Sequence, residues 1–310
     1  YGYTCDYLGH ELLSRGGWSV AGTTRDREKR TSLRARGIQA HIFLKTAIVA
    51  IAATALVIVM SATLPIAVDW HGAFRPAALE ILHGRTPYTA SGFFNPPWTA
   101  VLLIPFAILP EHIGRALLVI VALATYAYVG YKLGGNKVTI PLLLVSPPVL
   151  HGILNGNLDW LAALGAVLPP WIGLFFLMIK PQVGLAVGVY FLFATWREGG
   201  IAKVIKTFAP SGLALAVSVA VFGPWFLAIP PISEIPLNAS FWPLSLPIGL
   251  AWIVAAIRKT EIRYSLIASP FLSPYMLLHS WVGALIGLIP LTYEFAAAVI
   301  GLWILVLLRL

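Results

Sequence analysis

One acidic residue, Asp69, stands out among the groups that could do chemistry in this largely apolar sequence. Beyond residue 40 the only aspartates are Asp69 and Asp159. Asp69 follows a hydrophobic run at residues 44–68, and an ionised carboxylate at the end of an apolar helix is costly and needs a reason. It could act as a general base that takes a proton from a hydroxyl group. The alternative is an ordinary solvated residue at the end of a helix.

A small set of cations could complement this acid by holding a negatively charged group, because cations make charge-assisted hydrogen bonds to phosphate oxygens. The set comprises Arg75, Arg85, Lys180 and His279. Lys180 interrupts the apolar run at residues 158–196, although a lysine at a helix end can also extend its amine to the membrane surface. The two arginines could instead contact lipid headgroups, and His279 could be a hydrogen-bonded residue of the core.

The remaining polar candidates give no sign of a metal or a cofactor. Asp159, in HGILNGNLDW, could be a second polar contact or a residue of a first helical turn, where a carboxylate is favoured. His71, His83 and His151 have no recognisable zinc spacing. The single cysteine, Cys5, excludes internal disulfides. We therefore expect neither a bound metal nor a cofactor.

The composition predicts the environment in which these residues act. The chain has 310 residues, of which 59% are hydrophobic and 11% charged, whereas a soluble domain carries about 25% charged residues. So few charges cannot cover a water-facing surface, and we expect an all-α polytopic membrane protein. The net charge of +9 fits basic loops at a membrane face and does not indicate nucleic-acid binding.

Asp69 opens a polar stretch, residues 69–97, that separates two apolar runs. Within it, apolar residues recur at the helical spacing i, i+3, i+4, i+7 and i+8, namely Phe74, Ala77, Ala78, Ile81 and Leu82. This pattern predicts a short helix in the first external loop, lying in the membrane interface with its apolar side toward the membrane.

The apolar runs predict the membrane helices. They fall at about 44–68, 98–110, 113–131, 138–153, 158–196, 208–229, 241–257, 264–289 and 291–308. The run at 158–196 is too long for one pass and is broken at Pro169-Pro170 and at Lys180-Pro181. We therefore expect about ten or eleven helices, several of them short or proline-broken and packed within the bundle.

The distribution of basic residues predicts the orientation. Residues 1–40 are rich in lysine and arginine, so we expect the N-terminus in the cytoplasm and Asp69 on the outer side of a multi-pass plasma-membrane protein. The side on which Lys132 and Lys137 lie depends on the run at 98–110. That run could span the membrane fully or enter and leave on one side, and the sequence leaves both open.

Several motifs of this sequence match the pattern of one membrane-enzyme family. They are Asp69, Ala78-Leu79, Gly84, Pro87-Tyr88, Phe94, Pro96-Pro97, Pro105-Phe106-Ala107, Leu109-Pro110, Gly156-Asn157, Lys180-Pro181-Gln182, and Ser269-Pro270 through His279. On these residues the chain, over about 44–310, resembles the polyprenol-phosphate-hexose-dependent glycosyltransferases of family 87, which belong to the GT-C class. The resemblance implies a GT-C-like helical bundle and an enzyme that needs no nucleotide sugar.

The resemblance also implies a reaction and its residues. A hexose, with mannose favoured, would move from polyprenyl phosphate to a lipid or glycan acceptor by a single inverting displacement, with Asp69 as the general base. By the chemistry of their side chains, the cations Arg75, Arg85, Lys180 and His279 would hold the donor phosphate. Gln182, Tyr88 and Asn95 would contact sugar hydroxyls, and Asp159 is a second acidic candidate. The expected partners are the lipid-linked donor, the acceptor and membrane lipids.

A transporter, or a flippase for lipid-linked sugars, is the alternative from a different class. Transporters often combine broken helices with a binding site near the membrane midplane. Such a protein should also show paired halves and charges inside its helices. Here the charges are concentrated in the external stretch at 69–97, which favours the enzyme. The sequence names neither the acceptor nor the hexose.

Residues 1–43 differ from the rest of the chain. They predict a helix, a strand at residues 18–23, a second helix and the start of another strand, and they resemble the opening of a short-chain-dehydrogenase-like, NAD(P)-binding Rossmann unit. Gly2 matches the second glycine of that motif, whereas Cys5 stands where the third is expected and the first strand is absent. We therefore expect a basic cytoplasmic segment that binds no NAD(P). We also expect no signal peptide, because no apolar core follows a short basic start.

Overall fold

A computed structural model describes residues 21–228 and 238–308 of the chain. Within these residues it contains thirteen α-helices and no strand, so the all-α expectation is confirmed for this part of the chain. The helices outnumber the ten or eleven predicted because some predicted passes consist of two short helices. The chain divides into two compact units, Tyr1–Leu56 and Val57–Leu310.

The helices are short where prolines are frequent and long elsewhere. In chain order they are α1 (Ala21–Thr63), α2 (Arg75–Leu82), α3 (Pro97–Ala107), α4 (Glu111–Lys132), α5 (Thr139–Leu144), α6 (Pro147–Asn155), α7 (Asp159–Gly165), α8 (Pro170–Leu177), α9 (Pro181–Phe222), α10 (Leu246–Lys259), α11 (Ile262–Leu272), α12 (Val282–Leu288) and α13 (Thr292–Leu307). Helices α3, α6, α8 and α9 begin at a proline, whose fixed φ and missing N–H suit the first helical position. The predicted breaks at Pro169-Pro170 and Lys180-Pro181 are therefore confirmed.

Helix α1 contradicts the secondary structure predicted for the N-terminal segment. The strand predicted at residues 18–23 lies partly outside the described residues, but from Ala21 onward it is helical, and so is the strand start expected near residue 40. A strand without partners leaves its backbone groups unpaired, whereas a helix pairs them internally. The predicted domain boundary between residues 43 and 44 also falls inside this helix. The glycine motif at residues 2–5 lies outside the described residues.

Among the described residues, three helical segments are long and apolar enough to cross a membrane. They are Phe43–Thr63, Glu111–Lys132 and Pro181–Phe222, with mean hydropathies of 2.3, 1.8 and 1.7. The third segment leaves helical geometry at Gly199 and Gly200, and the φ of 59° at Gly200 favours glycine. Other apolar helices are shorter, so the described chain combines long helices with half-length ones.

The short helix predicted in the polar stretch is present as α2, which follows a π-helical turn at Trp70–Phe74. Its apolar side does not face away from the protein. Phe74, Ala77 and Ala78 are buried, and α2 packs against α3. The helix is therefore confirmed, but the predicted orientation of its apolar side toward the membrane is wrong for Phe74, Ala77 and Ala78, which pack into the core, whereas Leu82 at its end is 45% exposed.

Helix α7 carries the second aspartate into the interior of the fold. It packs against α4, α8 and α9, and nearly all of its residues are buried. The preceding helix, α6, is followed by Gly156, which caps its end with a φ of 73° that favours glycine. A Cβ atom at this position would lie 2.6 Å from the Cβ of Trp70. Glycine here therefore allows the turn between α6 and α7 to approach the residue that follows Asp69.

Candidate functional site

A cavity of about 630 Å³ lies beside Asp69. Four residues proposed from the sequence line it, namely Asp69, Asn95, Lys180 and Gln182. Much of the remaining lining is apolar or aromatic and includes Phe74, Phe94, Leu215, Trp225, Phe226 and Tyr275. With Asn157, which also lines it, the cavity thus combines an acid, a cation and three amides with an apolar surface, which is typical of a small-molecule site.

Asp69 is partly buried and is held by the protein through one oxygen. Asn157 Nδ2 donates a hydrogen bond of 2.6 Å to Asp69 Oδ2. In the part of the chain that the structure describes, no group hydrogen-bonds the other oxygen, Oδ1. Trp70, the first residue of the π-helical turn, is fully buried and anchors this end of the segment. One carboxylate oxygen is therefore positioned, and the other is available to a ligand.

A line of polar contacts continues from Asn157 into the core. Asn157 Nδ2 lies 3.2 Å from His279 Nε2, and His279 Nδ1 lies 2.7 Å from Asp159 Oδ2. Ser280 Oγ donates to Asp159 Oδ1 at 2.9 Å. An amide nitrogen only donates and an ionised carboxylate only accepts. Both histidine contacts are therefore satisfied by an imidazole whose proton is on Nδ1 and whose Nε2 accepts from Asn157.

His279 reaches the site through Asn157 and does not itself line the cavity. It is 2% exposed, lies in a 3-10 turn at Leu278–Trp281 and is stacked on His151 with ring centroids 5.4 Å apart. Asp159 is the first residue of α7, as one of its two sequence interpretations expected, and it also makes the buried contact that the other expected. These two residues fix the amide that holds Asp69.

Lys180 lies in the turn between α8 and α9 and lines the cavity. Asn95 Nδ2 donates at 2.7 Å to the carbonyl oxygen of Ile179, which ties this turn to the segment between α2 and α3. No ion pair joins Lys180 to a carboxylate of the described residues. Gln182 Oε1 is buried, again without a hydrogen-bonding partner in the described chain. The cation and the amide are therefore both available along the cavity.

The two arginines proposed from the sequence do not line the cavity. Arg85 is exposed, and its Nη2 donates at 2.8 Å to Glu80 Oε1. This hydrogen bond from Arg85 lowers the pKa of the Glu80 carboxyl. Arg75 is partly buried on α2, and its Nε has no hydrogen-bonding partner among the described residues. The sequence showed the charge of these arginines but not that neither of them lines the cavity.

Tyr88 contacts residues of the cavity but does not line it. Its ring stacks on Trp225 with centroids 5.5 Å apart, and its hydroxyl donates to the Asn95 carbonyl oxygen at 3.0 Å. Trp225 and Asn157 line the cavity but were not among the residues proposed from the sequence. Asn157 could have been found, because it is one of the few polar residues in HGILNGNLDW.

No group of three histidine, cysteine, aspartate or glutamate side chains in the described chain is arranged to hold a metal ion. Comparisons of the chain with protein-family models, with curated proteins and with solved structures found no match. The function is therefore inferred from the geometry of the site and from the motifs of the sequence.

Proposed function

We propose that this chain is an integral-membrane hexosyltransferase that moves a sugar, mannose in the first instance, from polyprenyl phosphate to a hydroxyl group of a lipid or glycan acceptor. The observation that carries the proposal is that Asp69 and Lys180 line one cavity of about 630 Å³. Sugar transfer from a lipid phosphate needs a base for the attacking hydroxyl and a positive charge for the departing phosphate.

The proposed reaction is a single displacement with inversion at the anomeric carbon. The acceptor oxygen bonds to that carbon while the bond from the carbon to the phosphate oxygen breaks, and the phosphate leaves with the electron pair. The acceptor proton passes to Asp69 Oδ1, because Oδ2 already accepts from Asn157. His279 and Asp159 act on this step as positioning residues, since they orient Asn157.

The departing phosphate is assigned to the segment that begins at Lys180. The lysine supplies a full positive charge, and α9, which begins one residue later, adds the partial positive charge of a helix N-terminus. Gln182 lies in the first turn of the same helix and can donate from its amide nitrogen. Arg75 and Arg85 have no part in this assignment, because neither lines the cavity.

The apolar lining supports a donor that combines a sugar with a lipid. Aromatic rings such as Trp225 and Phe226 can stack on the apolar face of a sugar ring, and Leu215 and Phe74 can contact an isoprenoid chain. Asn95 has its amide nitrogen bound to a carbonyl and its side-chain oxygen available for a sugar hydroxyl.

A membrane location belongs to the same proposal. The three apolar helical segments long enough to span a bilayer support it, and the substrate itself is a membrane lipid. We place the protein in the plasma membrane as a multi-pass protein, with the N-terminal segment in the cytoplasm and the cavity open to the outer side.

The test is sugar transfer by the purified full chain in proteoliposomes. The donor is polyprenyl phosphate carrying radiolabelled mannose, and the acceptors are lipids extracted from the membrane in which the chain is produced. We expect label in a new lipid or glycan product from the wild-type chain, and none from Asp69→Asn. Movement of the intact donor across the bilayer without a new product would instead indicate the flippase and overturn the proposal.

A further inference from the structure

A second, smaller cavity adjoins the segment that contains Asp69 but shares no lining residue with the first. Its volume is about 230 Å³. The lining residues are Ser61, Leu64, Ile66, Ala67, His71, Glu111, His112 and Arg115. It therefore combines cationic or ionisable side chains with an apolar part, and none of these residues has a role in the transfer reaction proposed above.

Arg115 is the residue that calls for a ligand in this cavity. Its exposed fraction is only 5%, and its Nη2 donates at 3.0 Å to the carbonyl oxygen of Leu154. Its Nε has no hydrogen-bonding partner, and no carboxylate forms an ion pair with it, in the part of the chain described. Glu111, one helical turn earlier, attracts this charge through space but forms no ion pair with it, so the buried guanidinium keeps an N–H group without a partner among the described residues, which is unfavourable. The planar guanidinium is well suited to bind two oxygens of one phosphate.

The surroundings of Arg115 favour an anion further. The one carboxylate among the lining residues, Glu111, is already engaged, because it accepts a hydrogen bond of 2.6 Å from His71 Nδ1. His112 is, with His71, the second imidazole that lines this cavity. The 22-residue helix α4 begins at Glu111 with no side chain capping its first amides, so the positive end of the helix also lies here.

We propose that this cavity binds the phosphate group of an anionic membrane phospholipid, held by Arg115 and the first turn of α4. A lipid is favoured over free phosphate because Leu64, Ile66 and Ala67 line the same small cavity. Ile66 is 77% exposed, and Leu64 and Ala67 lie beside it in the lining, so an acyl chain finds an apolar surface beside the phosphate. The inference goes beyond the proposed sugar transfer and does not depend on it.

The experiment is native mass spectrometry of the purified full chain, titrated with phosphatidylglycerol or with phosphatidylcholine of the same acyl chains. We expect the wild-type chain to retain phosphatidylglycerol in preference. Arg115→Gln should weaken this binding at least about tenfold, because hydrogen bonds to charged groups are the strong ones. Arg197→Gln is the matched control. Arg197 also donates to a carbonyl oxygen, that of Ile257, but lines neither cavity, and its loss should leave lipid binding unchanged.

A second variant keeps the proposal testable if Arg115→Gln does not fold. His112 is exposed, so His112→Glu should fold, and it places a negative charge in the cavity. His112→Glu should also weaken phosphatidylglycerol binding at least about tenfold, because the introduced carboxylate repels the lipid phosphate. Equal binding by the wild type and either folded variant would overturn the proposal, and so would equal retention of phosphatidylcholine. Displacement of the lipid by millimolar inorganic phosphate would show that the ligand is free phosphate and would overturn the lipid assignment.

Discussion

Two pairs, each of a basic and an acidic side chain, show how differently the chain uses similar residues. The pair of His279 and Asp159 has side chains 2% and 1% exposed, whereas those of Arg85 and Glu80 are 58% and 23% exposed. The first pair is joined across 120 residues of sequence and leads through Asn157 to the cavity. The second pair lies within one short segment, and its side chains are exposed to solvent. Residue type is therefore a weak guide to a site, and the fold decides which charges act.

The physical difference between the pairs is the cost of losing a partner. Water solvates an exposed arginine or glutamate when its partner is removed, so an exposed pair adds little. A buried partner left alone has no such solvent, and removing one member of a buried pair is strongly destabilising. The buried pair therefore holds its side chains, and through them Asn157, in fixed positions, which the exposed pair does not.

The largest effect is expected at Asp69, where the line of polar contacts through His279 and Asn157 ends. Asp69→Asn keeps the size of the side chain and one hydrogen-bond acceptor but is a negligible base at neutral pH. General-base assistance contributes about 10²–10⁴-fold, so the initial transfer rate should fall by that factor. Donor affinity should persist, because the phosphate is assigned to Lys180. A normal rate in the variant would show that the base is elsewhere, and Asp159 would be the next residue to test.

The next effect is expected at Lys180, as a change in donor affinity. Lys180→Gln removes the charge but keeps a group that can donate a hydrogen bond. The loss of a charge-assisted hydrogen bond should weaken binding of the sugar donor about 10–100-fold. Lys180→Arg should restore part of it. The measurement is a binding titration with polyprenyl-phosphate sugar. Unchanged donor affinity in Lys180→Gln would remove this residue from the site and leave its alternative, an amine that extends to the membrane surface.

Asp159→Asn tests the buried pair directly. The change neutralises the partner of His279, and we expect a loss of about 1–3 kcal/mol in the free energy of unfolding, measured as a lower thermal midpoint. The transfer rate at saturating donor should also fall, though less than in Asp69→Asn, because Asn157 is no longer held in one orientation. Ser280→Ala, which removes the hydrogen bond to the other carboxylate oxygen, should show the same pattern more weakly. Full stability and full rate in Asp159→Asn would contradict the positioning role.

The sequence predicted the helices better than it predicted the site. Prolines and apolar runs are local properties, so breaks such as Pro169-Pro170 and the existence of α2 could be foreseen. The orientation of α2 could not, because an apolar face packs equally well on a membrane or on α3. The resemblance of the N-terminal segment to the opening of a Rossmann unit suggested strands where, from Ala21 onward, the chain forms the helix α1.

Within the site, single charged residues were found more easily than the contacts between them. Asp69 and Lys180 are conspicuous in an apolar sequence, and both line the cavity. The role of Asn157 could not be predicted, because it depends on His279, 122 residues away, and on the close approach that Gly156 allows. Arg85 was conspicuous too, but its partner five residues back satisfies it locally.

The smallest effect is expected at the exposed pair, which makes it the control for the buried one. Glu80→Gln removes the carboxylate that Arg85 contacts, but both side chains reach water, so the thermal midpoint and the transfer rate should not change measurably.

The pKa of Glu80 is lowered by Arg85 in the folded chain, so any stabilisation exists above the unfolded pKa and is lost as pH falls through the folded value. Any difference between the wild type and the variant is therefore confined to neutral pH and vanishes in acid, and we expect the midpoints measured at acidic and at neutral pH to agree within error. A clear loss of sugar transfer at neutral pH with an unchanged midpoint would show that Arg85, released from Glu80, disturbs the donor. The arginine would then belong to the site for which its charge first suggested it, and the contrast between the two pairs would fail.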